Sequence, residues 1–168
     1  SGTGYEAIGD ICDAKNIPLK SASLQRIHDF FVTGYFASNA RIHEPDESHA
    51  NWYCIGDPTE GALITLAKKA GIHIETLEKN HKELREHPFD SARKRMTSIR
   101  FYNGKLMGFM KGAPESVLEV CTHIWDGKAV RKLTVHDIQA IRARNDLWAS
   151  GAMRNLAYAY REFTKSSD

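Results

Sequence analysis

The alternation of apolar and polar positions is strongest between residues 88 and 121, where it predicts a hairpin running into a helix. Asn103-Gly104 stands between two β-prone runs, 96–102 and 105–111. A type I′ turn needs two residues with positive φ, which Asn-Gly supplies, and its two-residue loop sets the register. Tyr102 then faces Lys105, Phe101 faces Leu106, Ile99 faces Gly108 and Thr97 faces Met110. The last three pairs make the more apolar face, expected in the core. The opposite face carries Met96 against Lys111, Ser98 against Phe109 and Arg100 against Met107. Lys94, two residues before Met96, is expected on that same side. Two lysines around aromatic and thioether surface suit something flat and anionic; a half-exposed face with solvated lysines is the plain alternative. Gly112-Ala113-Pro114-Glu115 reads as a tight turn into a helix, with Val117, Leu118, Val120 and Cys121 on its apolar side. Gly112 is expected to let the backbone run close to whatever Lys111 touches.

The rest of the chain follows in order. Residues 1–20 are turn-rich, with a small strand expected at 8–12. Ser21 or Ser23 can cap a helix to about residue 37, with Leu24, Ile27, Phe30 and Phe31 on one side. Residues 43–51 read as a surface loop and 52–55 as a short strand ended by Gly56. Asp57 is a good N-cap for the next helix, Pro58 suits its first turn, and Glu60 is placed for a capping box. Leu63, Leu66, Ala67 and Ala70 form its expected buried stripe, and Gly71 closes it. One or two helical turns are expected at 74–80 and a strand at 83–89. After the Pro114 helix, 124–133 reads as a strand broken by an Asp126-Gly127 turn. Thr134, with Asp137 three residues on, caps a helix whose apolar side is Ile138, Ile141 and Trp148 and which Gly151 stops. Residues 154–163 read as a closing strand, central in the sheet. The tally is α+β: a mostly antiparallel twisted β-sheet flanked by helices, in a single domain over 1–168.

Composition narrows the class without naming a function. The chain has 168 residues, 42% hydrophobic and 26% charged, enough for a folded core. A net charge of +2 is too small to argue for nucleic acid or a membrane surface. Cys12, Cys54 and Cys121 make an odd count without paired spacing, which points to reduced thiols. The eight histidines form no metal-ligand pattern, so no metal site is expected. No apolar run reaches the ~18 residues of a membrane span, and no signal peptide is legible.

No Ser/His/Asp set is legible, and neither Gly-x-x-x-x-Gly-Lys-Ser/Thr nor Gly-x-Gly-x-x-Gly occurs. What remains is a binding constellation. Glu60 offers an acceptor for an exocyclic amine, Phe89 a flat apolar plate, and Lys94 and Lys111 positive charge. Arg154 can reach a phosphate bidentately. Singly they read as a capping acid, a core aromatic and surface cations; together they fit a purine nucleotide held base-first.

Three segments carry a resemblance. Gly56-Asp57-Pro58-Thr59-Glu60-Gly61-Ala62-Leu63, Pro88-Phe89-Asp90-Ser91-Ala92-Arg93-Lys94-Arg95-Met96 and Lys111-Gly112-Ala113-Pro114-Glu115 resemble the signatures of the nucleotide-binding domain of P-type cation-transporting ATPases. They stand in that family's order and spacing. Residues 151–160 resemble the segment around its phosphate-contacting arginine, and Gly2-Thr3-Gly4-Tyr5 resembles the domain's entry strand in the calcium-pump branch. The resemblance implies that Phe89 stacks on adenine, Glu60 accepts from the adenine amino group, and Lys94 flanks base and ribose. Lys111 would line the pocket floor, Gly112 would grant close approach, and Arg154 would contact the phosphate tail. Some calcium pumps carry an arginine where Ser91 stands, for which Arg93 or Arg95 could substitute.

The resemblance further implies an excised cytoplasmic domain of an integral membrane pump. The phosphorylated Asp-Lys-Thr-Gly-Thr segment, the actuator Thr-Gly-Glu and the hinge Gly-Asp-Gly-x-Asn-Asp do not occur in it. The chain is expected to bind ATP without hydrolysing it, to carry no catalytic residue, and to leave Mg2+ with the phosphates in the intact pump. Its implied partners are ATP and the phosphorylation and actuator domains of the same parent chain, with no nucleic acid and no direct membrane contact. Ca2+ is the first choice for the transported cation from the resemblance, with Na+, K+, H+ and Mg2+ as alternatives, since ion ligands would lie in membrane helices outside this sequence. Two other readings are a stand-alone ATP-dependent enzyme, marked by steady turnover, and a nucleic-acid-binding module using the lysine face, marked by a steep salt slope.

Overall fold

The computed structural model describes residues 1–163, which fall into two compact units, 1–82 and the part from Glu83 on. In the first unit, α1 (Ser21–Arg26) and α2 (His28–Phe36) stand where one helix was expected. The chain breaks at Ile27, whose φ of −109° and ψ of 21° leave the helical region. Lys20 is the N-cap of α1, and no side chain caps it. Strands β1 (Arg41–His43) and β2 (Tyr53–Ile55) pair antiparallel. Helix α3 (Pro58–Lys69) follows, capped by Asp57, which accepts from the Thr59 amide, and α4 (Ile74–Asn80) closes the unit. Phe31, Val32, Phe36, Ile64 and Ala67 are its core. The buried stripe of α3 is Gly61, Ile64, Thr65 and Ala67, one step round from the expected Leu63 and Leu66. Residues 2–5 form no strand, and at 8–12 there is only an isolated bridge from Cys12 to Pro18.

The second unit is built on a four-stranded antiparallel sheet. Its strands are β3 (Glu83–Asp90), β4 (Arg95–Tyr102), β5 (Lys105–Gly112) and β8 (Ala157–Glu162), in the order β3-β4-β5-β8. Between β5 and β8 come α5 (Pro114–Leu118), the hairpin β6 (His123–Trp125) and β7 (Val130–Lys132), and α6 (Val135–Ser150). Thr134 and Asp137 make the expected capping box of α6. Arg131 holds the hairpin to that cap, donating to both Asp137 carboxylate oxygens at 2.7 and 2.8 Å. Among the described residues strand β8 pairs with β5 alone, so it is an edge strand and not the central one expected. Arg161 and Glu162 suit that edge, since charged side chains discourage further strand pairing.

The Asn103-Gly104 register stands pair for pair, from Tyr102 opposite Lys105 to Met96 opposite Lys111. The core assignment is reversed. The lysine-bearing face is the buried one: Met96, Ser98, Arg100, Phe109 and Lys111 are all nearly inaccessible, whereas Phe101 is 55% exposed. The reason is a partner from the neighbouring strand. Glu83 on β3 accepts from Ser98 Oγ at 2.5 Å and lies 3.5 Å from the Arg100 guanidinium, which also donates to Ser98 Oγ at 2.9 Å. A paired charge can be buried where an unpaired one cannot. Glu83→Gln is therefore expected to lower the unfolding free energy by about 1–3 kcal/mol, since it weakens the pairing of a buried guanidinium. In the exposed 44–52 loop, Glu47→Gln is expected to stay within about 0.5 kcal/mol. Urea denaturation of both variants checks the difference.

Candidate functional site

One end of the four-stranded sheet gathers most of the candidate residues. Asp90, the last residue of β3, pairs with Arg95, the first of β4; Arg95 pairs with Gly112 at the end of β5, and Gly112 with Ala157 at the start of β8. Phe89, Lys94, Lys111 and Gly112 thus lie within one residue of this end, and Arg154 lies three residues before β8 begins. Glu60 belongs to the other unit. Its Oε2 reaches away from its own helix and accepts from the Asn39 and Ala40 amides at 2.7 and 3.0 Å, fastening the loop that follows α2.

Phe89 is 61% exposed, which removes the core-aromatic reading. It sits where the β3–β4 pairing becomes irregular, between His87 and Asp90. The turn that follows is organised by Asp90. Its Oδ1 accepts from the Ala92 and Arg93 amides at 3.1 and 2.8 Å, and its carbonyl accepts from the Lys94 amide at 2.6 Å. An Asp side chain closing on amides two and three residues on is the physical basis of such turns.

Lys94 ends this turn with a φ of 49°. That is the left-handed region, which costs a residue bearing a Cβ about 1–2 kcal/mol. Because Lys94 lies outside β4, strand alternation does not extend to it, and the expectation that it shares the Lys111 face on that ground does not hold. The Lys94 side chain is exposed and, among the described residues, has no hydrogen-bond or ion-pair partner; the same is true of Arg154. Lys111 is different: it is only 6% exposed, between Met96 on β4 and Tyr158 on β8 in the same cross-strand row. Burial pushes the Tyr158 phenol well above its ordinary range, so this neighbour stays neutral at physiological pH.

Gly112 has a role other than the one expected. A Cβ built on it would lie 2.6 Å from the Lys94 carbonyl oxygen and 2.6 Å from the Arg95 Cβ. Its missing side chain therefore lets β5 close on the turn that carries Lys94. The Ala113 amide completes this contact by donating to the Lys94 carbonyl at 3.0 Å.

Neither candidate for the absent arginine is idle. Arg95 donates to the Ser116 carbonyl at 3.0 Å and to Ser116 Oγ at 2.8 Å, so it is turned toward α5. Arg93 donates to the Pro88 carbonyl at 3.1 Å, folding back across the turn onto the strand end that carries Phe89. Between turn and helix lies a cleft of about 330 Å³, with Arg93, Lys94 and Arg95 on one side and Glu115, Ser116 and Glu119 on the other. Sequence reasoning passed over Ser116, because a serine in the first turn of a short helix carries no distinguishing pattern.

Residues 26–168 match the family model of the P-type ATPase cytoplasmic domain N. The chain belongs to that family. It is 34% identical over 164 residues to the calcium-transporting ATPase of Bacillus subtilis (strain 168), covering 96% of this chain and 18% of that protein. It is 38% identical over 108 residues to calcium-transporting ATPase 1 of Lactococcus lactis subsp. lactis (strain IL1403), covering 64% of this chain and 12% of that protein. The probable cation-transporting ATPase F of Mycobacterium tuberculosis (strain ATCC 25618 / H37Rv) is 27% identical over 158 residues, 94% of this chain and 17% of that protein. The chain thus spans less than a fifth of the length of these relatives. Among the described residues, no helix is long and apolar enough to cross a membrane, and no group of three His, Cys, Asp or Glu side chains could hold a metal ion.

The close approach at Gly112 gives the domain N a direct test. Gly112→Ala forces a methyl group into backbone and is expected to destabilise the fold by about 1–3 kcal/mol. Its largest amide chemical-shift changes are expected at Lys94 and Arg95, read in an NMR spectrum of the folded variant.

Proposed function

We propose that this domain N binds ATP weakly and base-first at the sheet end carrying Phe89, Lys94, Lys111 and Gly112. In this reading Phe89 stacks on adenine, Lys94 flanks base and ribose, Lys111 lies beneath them, and Arg154 meets the phosphates. The observation that supports the reading most is Phe89. An aromatic ring 61% exposed at a strand end presents an open face on which a flat base can stack, and at the same sheet end the Lys94 ammonium has no protein partner among the described residues.

In this reading Mg2+ arrives with the phosphates of the nucleotide in the intact pump. In the parent pump, a cation-transporting ATPase with Ca2+ as its cargo, the domain presents the γ-phosphate to an aspartate of a separate domain. A carboxylate oxygen attacks the phosphorus and ADP leaves, giving a covalent aspartyl-phosphate. This chain supplies binding and no catalytic residue to that step, and its place is a cytoplasmic domain of an integral membrane protein.

The magnitudes support delivery and not storage. One base stack contributes about 1–3 kcal/mol. Two hydrogen bonds add about 1 kcal/mol each, and solvent-exposed charge pairs contribute about 0–1 kcal/mol. The sum corresponds to a Kd of about 1 mM, or tenfold tighter. Titration of ATP, ADP and AMP followed by NMR is expected to give similar affinities, with GTP clearly weaker. Nanomolar binding, or equal binding of GTP, contradicts the reading.

Phe89→Ala supplies the sharper check. It is expected to weaken ATP binding by about 1–3 kcal/mol. The urea midpoint should stay close to that of the unmutated chain, because the ring is already exposed.

A further inference from the structure

We propose that Arg95 and Ser116 act as positioning residues, a latch that holds the 91–94 turn, and with it Lys94, against the Lys111-Gly112 strand end. The proposal rests on the ATP reading above and names residues that reading does not use. The turn is held from inside by Asp90, but those bonds fix its shape and not its placement on the sheet. Placement comes from outside. Ser116, 6% exposed, accepts from the Arg95 guanidinium at 2.8 Å and donates its own proton to the Arg93 carbonyl. The same guanidinium donates to the Ser116 carbonyl at 3.0 Å and, at 3.4 Å, to the Arg93 carbonyl. Arg95, Ser116 and the Arg93 carbonyl therefore close one ring of hydrogen bonds between β4, α5 and the turn. Beside it, the Ala113 amide donates to the Lys94 carbonyl.

The chemistry favours a positioning role over a plain stabilising one. Among the described residues Arg95 has no carboxylate partner, although Glu115 and Glu119 line the same cleft; its donors go to oxygens of Ser116 and Arg93. A part-buried guanidinium committed to neutral acceptors is an expensive way to gain stability. It does fix direction, because one guanidinium nitrogen, Nη1, donates to both the carbonyl and the Oγ of Ser116. What it fixes is the backbone one residue before it. Among the described residues Lys94 has no side-chain partner to locate its ammonium, so the ammonium is only as well placed as the turn. On the ATP reading, function thus depends on the ring through the turn it holds.

The test uses the 168-residue chain, its Ser116→Ala, Ser116→Thr, Arg95→Met and Lys94→Ala variants, and the Lys94→Ala/Ser116→Ala double variant. Two readouts are compared, native-state amide exchange without nucleotide and ATP affinity by NMR titration. In Ser116→Ala and Arg95→Met the amides of Lys94 and Ala113 are expected to exchange about tenfold faster, while those of the β4–β5 ladder stay unchanged. The Kd for ATP is expected to rise about three- to tenfold in both, as for residues sharing one hydrogen-bond network, and Ser116→Thr, which keeps the hydroxyl, restores it. In the Lys94→Ala background, Ser116→Ala is expected to cost nothing further.

Unchanged exchange at Lys94 and Ala113 overturns the latch. An equal loss of affinity with and without Lys94 overturns the positioning role and leaves only a general destabilisation. Failure of the unmutated chain to bind ATP overturns the ATP reading instead, and is seen before any variant is made.

Discussion

The close approach of β5 to the β3–β4 turn is the constraint on which the second unit's functional end depends. It exists because position 112 has no Cβ: the Lys94 carbonyl and the Arg95 Cβ occupy the space a side chain would need. Once the backbones meet there, the Ala113 amide finds the Lys94 carbonyl, and Ser116 on the following helix comes within reach of both Arg95 and the Arg93 carbonyl. A strand end, a turn with a left-handed lysine and a helix start become one assembly. The strained φ at Lys94 is tolerable because hydrogen bonds from two directions hold it.

The sheet behind this end obeys a second constraint, that a buried face must satisfy its polar groups. Ser98 and Arg100 are buried only because Glu83 on the next strand accepts from one and pairs with the other. This arrangement costs the face hydrophobicity and gives it direction, since each polar contact selects one register of β3 against β4. Lys111 lies in the same buried surface and belongs to this polar design as much as to any ligand.

Local signals in the chain were enough for the elements that local chemistry decides. Asn103-Gly104 specifies a turn and therefore a register, and Thr134 with Asp137 specifies a helix start; both stand as the residues imply. The three family segments likewise lie in contiguous sequence, and the family match bears them out. What local chemistry does not decide was not legible. The choice of buried face turned on Glu83, fifteen residues from Ser98 along the chain, and an apolar count of the hairpin alone favours the wrong side. The place of β8 at the sheet edge depends on strand order, which no single strand encodes. At the candidate site, Phe89, Lys94 and Lys111 were legible as residue types. The left-handed turn at Lys94 and the contacts of Ser116 were not, because both arise where separate segments meet. Helix α3 shows the same limit on a small scale: its cap was readable, while its buried stripe depended on what packs against it.

Weak binding is what such an end would be built for if its task is delivery. On the ATP reading the aromatic plate is open, and Lys94 and Arg154 face solvent, where charge pairs contribute little. A tighter grip on the ground-state nucleotide would lower the free energy of bound ATP and of the phosphoryl-transfer transition state alike, and so would not speed transfer to an aspartate elsewhere. It would also slow release of ADP, which keeps the same base and ribose. The economical solution is to hold the adenine by one stack and a few polar contacts, keep the cations in fixed positions, and leave the γ-phosphate to groups outside the domain. Rigidity then matters more than affinity, because a donor held loosely in the wrong direction gains nothing from being held often. That is the physical sense of a glycine-tight contact and a part-buried arginine–serine ring behind a lysine that, among the described residues, has no side-chain partner.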